Sequence, residues 1–402
     1  MTARVPVSLA SWAPLGVISG RDTGVRSAHW PFDEDSRFTG RRVSTFSRAY
    51  SRWTHFLDYR SSSYNEPAQM GVLRASLRAS GGQEVILGRY DFDEAEVWYA
   101  GAWSRVRSAH ERAAAEFTTG PVPGLPGTPT EPQPDPAGFA QAPDFVDGTT
   151  MTTVAGYNIH HFVYEHLTAA WIHRDAFDRR PDVLIGASDL SANAFHGPLL
   201  RLLGLQVRPV LLPLHSRVRL RECTMLGSLT FRLYAPAVLE EIRLRISDAA
   251  VRDPRARDVP ASDVVYLGRG DTERNRRPLV NEDEVIALLR QQWPELTVIR
   301  SALQPVEQTV AALRRARVII GPTAGALVHY LWARDLEHLI ELVPDEYPGV
   351  SETEEVSDIF GFTHHGVPTR TVRTAAQERW VDTGQEADLT ALAAAITSVA
   401  SS

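Results

Sequence analysis

The chain has 402 residues, 43% of them hydrophobic and 23% charged, which is typical of globular proteins and too long for one hydrophobic core. Its formal net charge of -7 argues against a general nucleic-acid binder. All 42 basic residues are arginine, so enzyme classes that need a lysine in a Schiff base or on phosphates are excluded.

The only cysteine, Cys223, rules out internal disulfides and multi-cysteine zinc sites, and it favours a reducing, cytoplasmic location. No stretch approaches the roughly 18 consecutive apolar residues of a membrane span. The apolar stretch 5–18 is interrupted by prolines and serines and does not resemble a signal peptide. We expect no transmembrane segment, and peripheral membrane association stays open.

The composition changes along the chain predict three parts. Residues 1–148 are expected to form an N-terminal extension that ends in a linker over 118–147, because prolines crowd that stretch. Residues 149–258 then form an N-terminal α/β lobe, and residues 259–402 form a C-terminal α/β lobe.

In the first lobe, hydrophobic periodicity predicts alternating helices and strands. The expected elements are a helix over 158–174, a strand over 182–186, a helix over 195–203, strands over 206–212 and 218–221, and a helix over 236–250.

In the second lobe the alternation is more regular. Strands are expected over 263–267, 296–300, 317–321 and 338–343, and helices over 281–292, 305–315 and 324–333. Asn281 is the expected N-cap of its helix, with Glu284 three residues on as in a capping box. Strands that alternate with helices at short spacing indicate a doubly wound parallel sheet, so we predict two α/β lobes that face a cleft.

Arginines follow the first strand of the second lobe, at Arg269, Arg274, Arg276 and Arg277. In doubly wound sheets ligands bind beyond the carboxyl ends of the strands, and a helix start follows this segment. Both features favour an anion such as a diphosphate. A solvated charged loop explains the arginines equally well.

Small residues follow the strand over 317–321, in the segment 321–326. They allow a ligand to approach the backbone, and free N–H groups at the next helix start would face it. Tight packing of a strand-to-helix turn is the alternative.

In the first lobe His161 and Glu165 lie four residues apart in a predicted helix. On one helix face the carboxylate would orient the imidazole and raise its basicity. A surface ion pair, or a histidine whose ring is hydrogen-bonded to a carbonyl, is the alternative for such a pair. A zinc site would need a third ligand, and His173 lies at the wrong helical phase to supply it.

Taken in order, these segments resemble glycosyltransferase family 61. An Asn-x-x-His-(Phe/Trp)-x-x-Glu segment is matched by Asn158, His161, Phe162 and Glu165, and a helix end follows at 199–204. A strand that ends in Gly-Arg, a run of arginines and Val-Asn-Glu come next, and then a Val-Ile-Gly-x-His-Gly-Ala-type segment. These correspond to Gly268, Arg269, Arg276, Arg277, 280–282 and 319–327.

The resemblance implies a GT-B-like fold of two Rossmann-like lobes, a nucleotide-sugar donor such as a UDP-sugar, inversion at the anomeric carbon, and a glycan or other hydroxyl acceptor. It implies no required cofactor and no metal. The implied catalytic residues are His161, with Glu165 as orienting group or as the base itself, and Asn158 and His160 lie on the acceptor side. The implied donor-binding residues are Arg269, Arg276, Arg277, Asn281, Thr323, Ala324, Gly325, Ala326 and, for the ribose, Glu341.

One departure from the family pattern concerns the donor site. Thr323 stands where the family usually has histidine, and Ala324 where it has glycine. A changed donor or a catalytically inactive sugar-nucleotide-binding relative would explain this. A nucleotide-sugar epimerase with two similar lobes is a further alternative, and it would need no acceptor.

Overall fold

The computed structural model describes part of the chain, namely residues 25–29, 88–92, 95–100, 103–108, 116–119, 140–152, 158–187, 195–213, 216–227, 236–268, 277–346, 351–373 and 383–401. The chain divides into two compact units, Met1–Ile242 and Arg243–Ser402. Each contains one mixed sheet with helices, so the predicted α/β class is confirmed.

The first unit is built on a ten-stranded sheet with the order β5-β4-β3-β10-β7-β8-β9, in which β1 pairs with β2 and both β2 and β6 pair with β10. The strands are β1 Val25–His29, β2 Gly88–Phe92, β3 Ala95–Ala100, β4 Trp103–Ser108, β5 Glu116–Thr119, β6 Ala140–Gln141, β7 Phe145–Thr152, β8 Asp182–Ala187, β9 Arg208–Pro213 and β10 Ser216–Gly227.

The helices of this unit are short, except for the last one. They are α1 Ile159–His161, a π-helix Phe162–Leu167, α2 Thr168–Ile172, a 3₁₀-helix Arg174–Asp178, α3 His196–Leu202 and the start of α4 Pro236–Arg252. The division between the two units falls inside α4.

Two predictions for the first unit need correction. Among the described strands, β6 to β10 form the parallel pairs, and the strands from β1 to β5 pair in antiparallel fashion, so the sheet is not doubly wound throughout. The predicted linker is wrong at both ends, since β5 reaches Thr119 and β6 and β7 begin before residue 148. The predicted boundary at residue 148 stays a prediction.

The second unit carries a six-stranded sheet with the order β12-β11-β13-β14-β15-β16. Its strands are β11 Val264–Gly268, β12 Thr297–Arg300, β13 Val318–Pro322, β14 His338–Pro344, β15 Thr363–Val372 and β16 Gly384–Ala387. All pairs are parallel except β15 with β16. The central strand β13 is buried along its whole length, as expected for an apolar strand covered on both faces.

The helices of the second unit cover this sheet. They are α5 Glu282–Gln292, α6 Val306–Leu313, α7 Glu352–Phe360, α8 Leu389–Ala400 and the 3₁₀-helices Pro254–Ala256, Ser301–Leu303 and Gly325–Trp332. One face of the sheet packs with α5 and α8 in a core that contains Tyr266, Ile320, Ile340 and Leu342. No helix among the described residues is long and apolar enough to cross a bilayer.

Two local predictions in this unit are confirmed in position and corrected in detail. The helix predicted over 324–333 is the 3₁₀-helix Gly325–Trp332. Asn281 is the N-cap residue of α5, but its side chain makes no capping bond. Its amide pairs instead with the backbone of Ala387, donating to the carbonyl at 3.0 Å and accepting from the N–H at 2.9 Å. This long-range pair ties the start of α5 to β16.

Candidate functional site

The strand order of the second unit marks a ligand-binding edge. Numbered from β11, the first five strands follow the order 2-1-3-4-5, and chain connections leave in opposite directions from β11 and β13. In such sheets ligands bind outside the carboxyl ends of the strands at this switch point. The strand ends there are Gly268 and Pro322, with Arg300 beside them on β12.

Two glycines let the backbone come close at this edge. A Cβ on Gly321 would lie 2.8 Å from the carbonyl oxygen of Leu267, and a Cβ on Gly268 would lie 2.8 Å from a carboxylate oxygen of Glu282. Neither position therefore accommodates a larger residue without a shift. The ends of β11 and β13 are packed at close range, with Glu282 directly above Gly268.

Thr323 and Glu341, both predicted in the donor site, contact each other. The Thr323 hydroxyl donates to Glu341 Oε1 at 2.8 Å, and the Thr323 N–H donates to the Leu342 carbonyl at 3.0 Å. Ser351 Oγ and His364 Nε2 lie 2.7 and 2.8 Å from Glu341 Oε2. The Glu341 side chain is 1% exposed, so this carboxylate is a buried centre that holds the turn after β13.

The segment Ala324, Gly325 and Ala326 is half-buried and begins the 3₁₀-helix. Ala324 is extended and no side chain caps this helix start. Its first N–H groups have no intrahelical partner and are suited to an anion. The prediction that this turn contacts the donor stays a prediction.

A second polar cluster lies at the ends of β11 and β12. The buried Tyr266 hydroxyl donates to Glu282 Oε1 at 3.0 Å, and Arg300 lies 3.4 Å from Glu282 Oε2. Burial, together with the Glu282 carboxylate, raises the pKa of Tyr266 and keeps it protonated as a donor. Glu282 lies in the Val-Asn-Glu segment of the family resemblance without a predicted role, and no sequence motif singled out Arg300.

Of the predicted phosphate-binding arginines, Arg269 and Arg276 lie outside the described residues. Arg277 is half-buried just before α5. The side-chain amide of Asn281 is hydrogen-bonded to the backbone of Ala387, as described above. These bonds compete with its predicted role in binding the donor. These donor assignments stay predictions.

In the first unit, the helix predicted over 158–174 is present but is not α-helical throughout, since His161 ends the short α1 and a π-helix follows. From Phe162 to Leu167 it is a π-helix, in which each N–H bonds the carbonyl five residues back. In an α-helix position 166 would lie about 140° around the axis from position 161, at roughly 100° per residue. The wider turn of the π-helix places His166 closer to His161 than an α-helix would. π-helical turns are frequent at functional sites.

His166 therefore joins His161 and His196 in one cluster. Burial, His196 and His161, in that order, hold the pKa of His166 well below its usual range. Among the described residues, neither ring nitrogen of His166 has a hydrogen-bond partner. Phe162 lies between the imidazoles, 5.3 Å from the His166 ring and 4.8 Å from the His196 ring. The three imidazoles are not arranged as ligands of a metal ion.

The other predicted acceptor-side residues shape the same helix start. Asn158 is the N-cap of α1, and its side chain accepts from the His160 N–H at 2.9 Å. His160 packs edge-on against Tyr164 with ring centroids 4.7 Å apart. Glu165 lies within the π-helix, and its predicted role beside His161 stays a prediction.

Comparison with known proteins finds a matching family model and solved structures of low sequence identity. The family model "Glycosyltransferase 61" matches residues 159–340. No curated protein matches the chain. Among solved structures, the iron-containing dodecameric glycosyltransferase TibC from enterotoxigenic E. coli H10407 is 12% identical with a TM-score of 0.25, over 64% of this chain and 75% of TibC. TibC in complex with ADP-D-beta-D-heptose gives the same values. The family model confirms, over residues 159–340, the resemblance seen in the sequence, and it supports glycosyl transfer as the activity.

Proposed function

We propose that this glycosyltransferase moves a sugar from a nucleotide-sugar donor, UDP-linked, to a hydroxyl of a glycan or other acceptor, with inversion at the anomeric carbon. The family supports sugar transfer in general. The observation that carries the proposal is the switch point of the second sheet, where the ends of β11 and β13 approach closely beside an uncapped helix start.

The proposed donor site lies at this edge. The diphosphate would bind the N–H groups at the start of the 3₁₀-helix and the arginines Arg269, Arg276 and Arg277. Charge-assisted hydrogen bonds of this kind contribute about 1.5–3 kcal/mol each, and arginines supply them without a metal.

The proposed acceptor base is His161 of the first unit. A base must remove the proton of the acceptor hydroxyl as the sugar departs from the diphosphate. Transfer thus requires the two units to face each other across a cleft, as in a GT-B arrangement, and this arrangement is part of the proposal. The unperturbed imidazole pKa of about 6.5 makes the free base abundant at neutral pH.

The observation that favours a second candidate concerns Thr323. Its hydroxyl is committed to the buried Glu341 rather than turned to the open edge. A relative that binds sugar nucleotides without transferring the sugar would tolerate this arrangement.

The test is a panel of UDP-, ADP- and GDP-sugars, first for thermal stabilisation of the protein and then for release of the nucleoside diphosphate with and without glycan acceptors. Stabilisation with acceptor-dependent release supports the proposal. Stabilisation without release supports the inactive relative, and conversion of the donor without acceptor supports an epimerase. If no member stabilises the protein, the donor site is assigned wrongly.

A further inference from the structure

The acidic residue expected at the donor ribose is poorly placed for it. Glu341 is 1% exposed, and its two carboxylate oxygens already accept from Thr323, Ser351 and His364. A nucleoside would have to displace these donors from a closed interior. The carboxylate that could meet a nucleoside must lie elsewhere on the same edge.

Glu282 meets that requirement. It is the first residue of α5, and its Oε1 would lie 2.8 Å from a Cβ on Gly268, so the carboxylate stands over the last residue of β11. Its side chain is 24% exposed, and Arg300 beside it is 39% exposed. Both groups therefore reach solvent at the switch point, where this class of sheet binds ligands.

One carboxylate oxygen of Glu282 is held by a hydrogen bond, and the other oxygen can still accept hydrogen bonds. Oε1 accepts from the Tyr266 hydroxyl at 3.0 Å, and Tyr266 is itself locked in the core by strand β11. Oε2 has one long contact, 3.4 Å to Arg300. A carboxylate oxygen can accept two hydrogen bonds, so Oε2 can accept further donors without losing this arginine.

Vicinal ribose hydroxyls are the donors that suit such an oxygen. In related doubly wound folds, an acidic side chain near the switch point accepts from ribose hydroxyls of the bound nucleotide. We infer that Glu282, held by Tyr266 and Arg300, binds the ribose hydroxyls of a nucleoside diphosphate. The inference rests on the proposed function, and it makes Glu282 the residue that distinguishes ribonucleotides from 2′-deoxyribonucleotides.

The test compares affinities for UDP, ADP and GDP with those for their 2′-deoxy forms by calorimetry. The wild-type protein binds the preferred ribonucleotide about tenfold or more tightly than its 2′-deoxy form, because a hydrogen bond to a charged acceptor is lost. Glu282→Gln keeps an oxygen for Tyr266 and reduces this ratio at least threefold. Glu284→Gln removes the same charge from an exposed position on α5 and leaves the ratio unchanged.

A change of charge at residue 282 alters diphosphate binding equally for the ribonucleotide and its 2′-deoxy form. This effect therefore cancels in the ratio of their affinities. Glu282→Asp is the second variant, because it keeps the charge and retracts the carboxylate by one methylene, and it also lowers the ratio. Equal wild-type affinity for the two forms, or a ratio that survives both substitutions, overturns the inference and leaves the proposed function intact. Failure of all three diphosphates to bind overturns both.

Discussion

One buried histidine of the first unit, His166, differs in its hydrogen bonding from the buried Glu341 and His329 of the second unit. In the second unit Glu341 accepts from three side chains, and His329 Nδ1 accepts from Trp332 Nε1 at 2.9 Å. In the first unit His166 is just as buried, and neither ring nitrogen has a partner among the described residues. Buried polar groups are normally hydrogen-bonded, and an exception calls for a functional or solvent partner.

This difference indicates a division of roles. The satisfied groups of the second unit fix backbone segments, as Glu341 fixes the turn that follows β13. The unsatisfied imidazole of the first unit lies in a π-helix next to the proposed base, where a strained or unpaired group is tolerated for its chemistry.

The largest expected effect is on catalysis. His161→Ala should lower turnover about 10²–10⁴-fold, as loss of a general base does, while affinity for the nucleoside diphosphate stays nearly unchanged. Steady-state kinetics and calorimetry measure the two quantities. His160→Ala, one residue away and packed on Tyr164, is the matched control and should cost far less. The assignment fails if Glu165→Gln abolishes turnover and His161→Ala does not.

The next effect is on the stability of the second unit. Glu341→Leu leaves the Ser351 hydroxyl and the His364 ring without their acceptor, and the Thr323 hydroxyl keeps only the Leu342 carbonyl. Removing one partner of such a buried network costs about 3–5 kcal/mol. Urea unfolding measures the loss. Glu337→Leu removes an exposed carboxylate paired with Arg317 and should leave the unfolding midpoint nearly unchanged. Equal effects of the two substitutions would show that the buried network contributes no more than a surface pair.

The sequence predicted the second unit better than the first, for a physical reason. Strands β11, β13 and β14 are apolar runs buried on both faces, and such runs are recognisable locally. The position of the proposed donor edge follows from strand ends alone. The antiparallel strands from β1 to β5 are poor in alternating apolar residues. Neither their pairing with one another nor the pairing of β2 and β3 with the long β10 could therefore be predicted from the sequence.

The details of the site depend on contacts that no local pattern encodes. Asn281 pairs with Ala387 across 106 residues, and Glu341 with His364 across 23. The segment Phe162–Leu167 is a π-helix, so the positions of the histidines around the helix axis could not be predicted from a 3.6-residue period. Thr323 and Glu341 were both predicted in the donor site, but the hydrogen bond between them was not.

The third effect is acid sensitivity of the second unit. Burial lowers the pKa of His329 to about 4, whereas in the unfolded chain it is about 6.5. The unfolded state therefore binds the extra proton first, and stability present above pH 6.5 is lost as the pH falls toward 4. The loss reaches about 3 kcal/mol. Urea unfolding at pH 7.5 and 4.5 measures it, and the difference should shrink in His329→Leu. A wild-type stability that is flat across this range contradicts the lowered pKa.

The smallest expected effect tests the difference between the two units most directly, because the same substitution, a buried histidine to leucine, is made in each unit. At pH 7.5 His329→Leu leaves the Trp332 N–H without an acceptor and should cost about 1–3 kcal/mol. His166→Leu removes two ring nitrogens that lack partners and substitutes an apolar side chain of similar volume, so the free energy of unfolding should stay constant or rise. Urea midpoints at equal protein concentration compare the two variants. Should His166→Leu destabilise the protein as much as His329→Leu, then His166 is satisfied by an ordered water or another group, and its burial is structural. If stability is kept while turnover falls, the imidazole is retained for its chemistry beside His161.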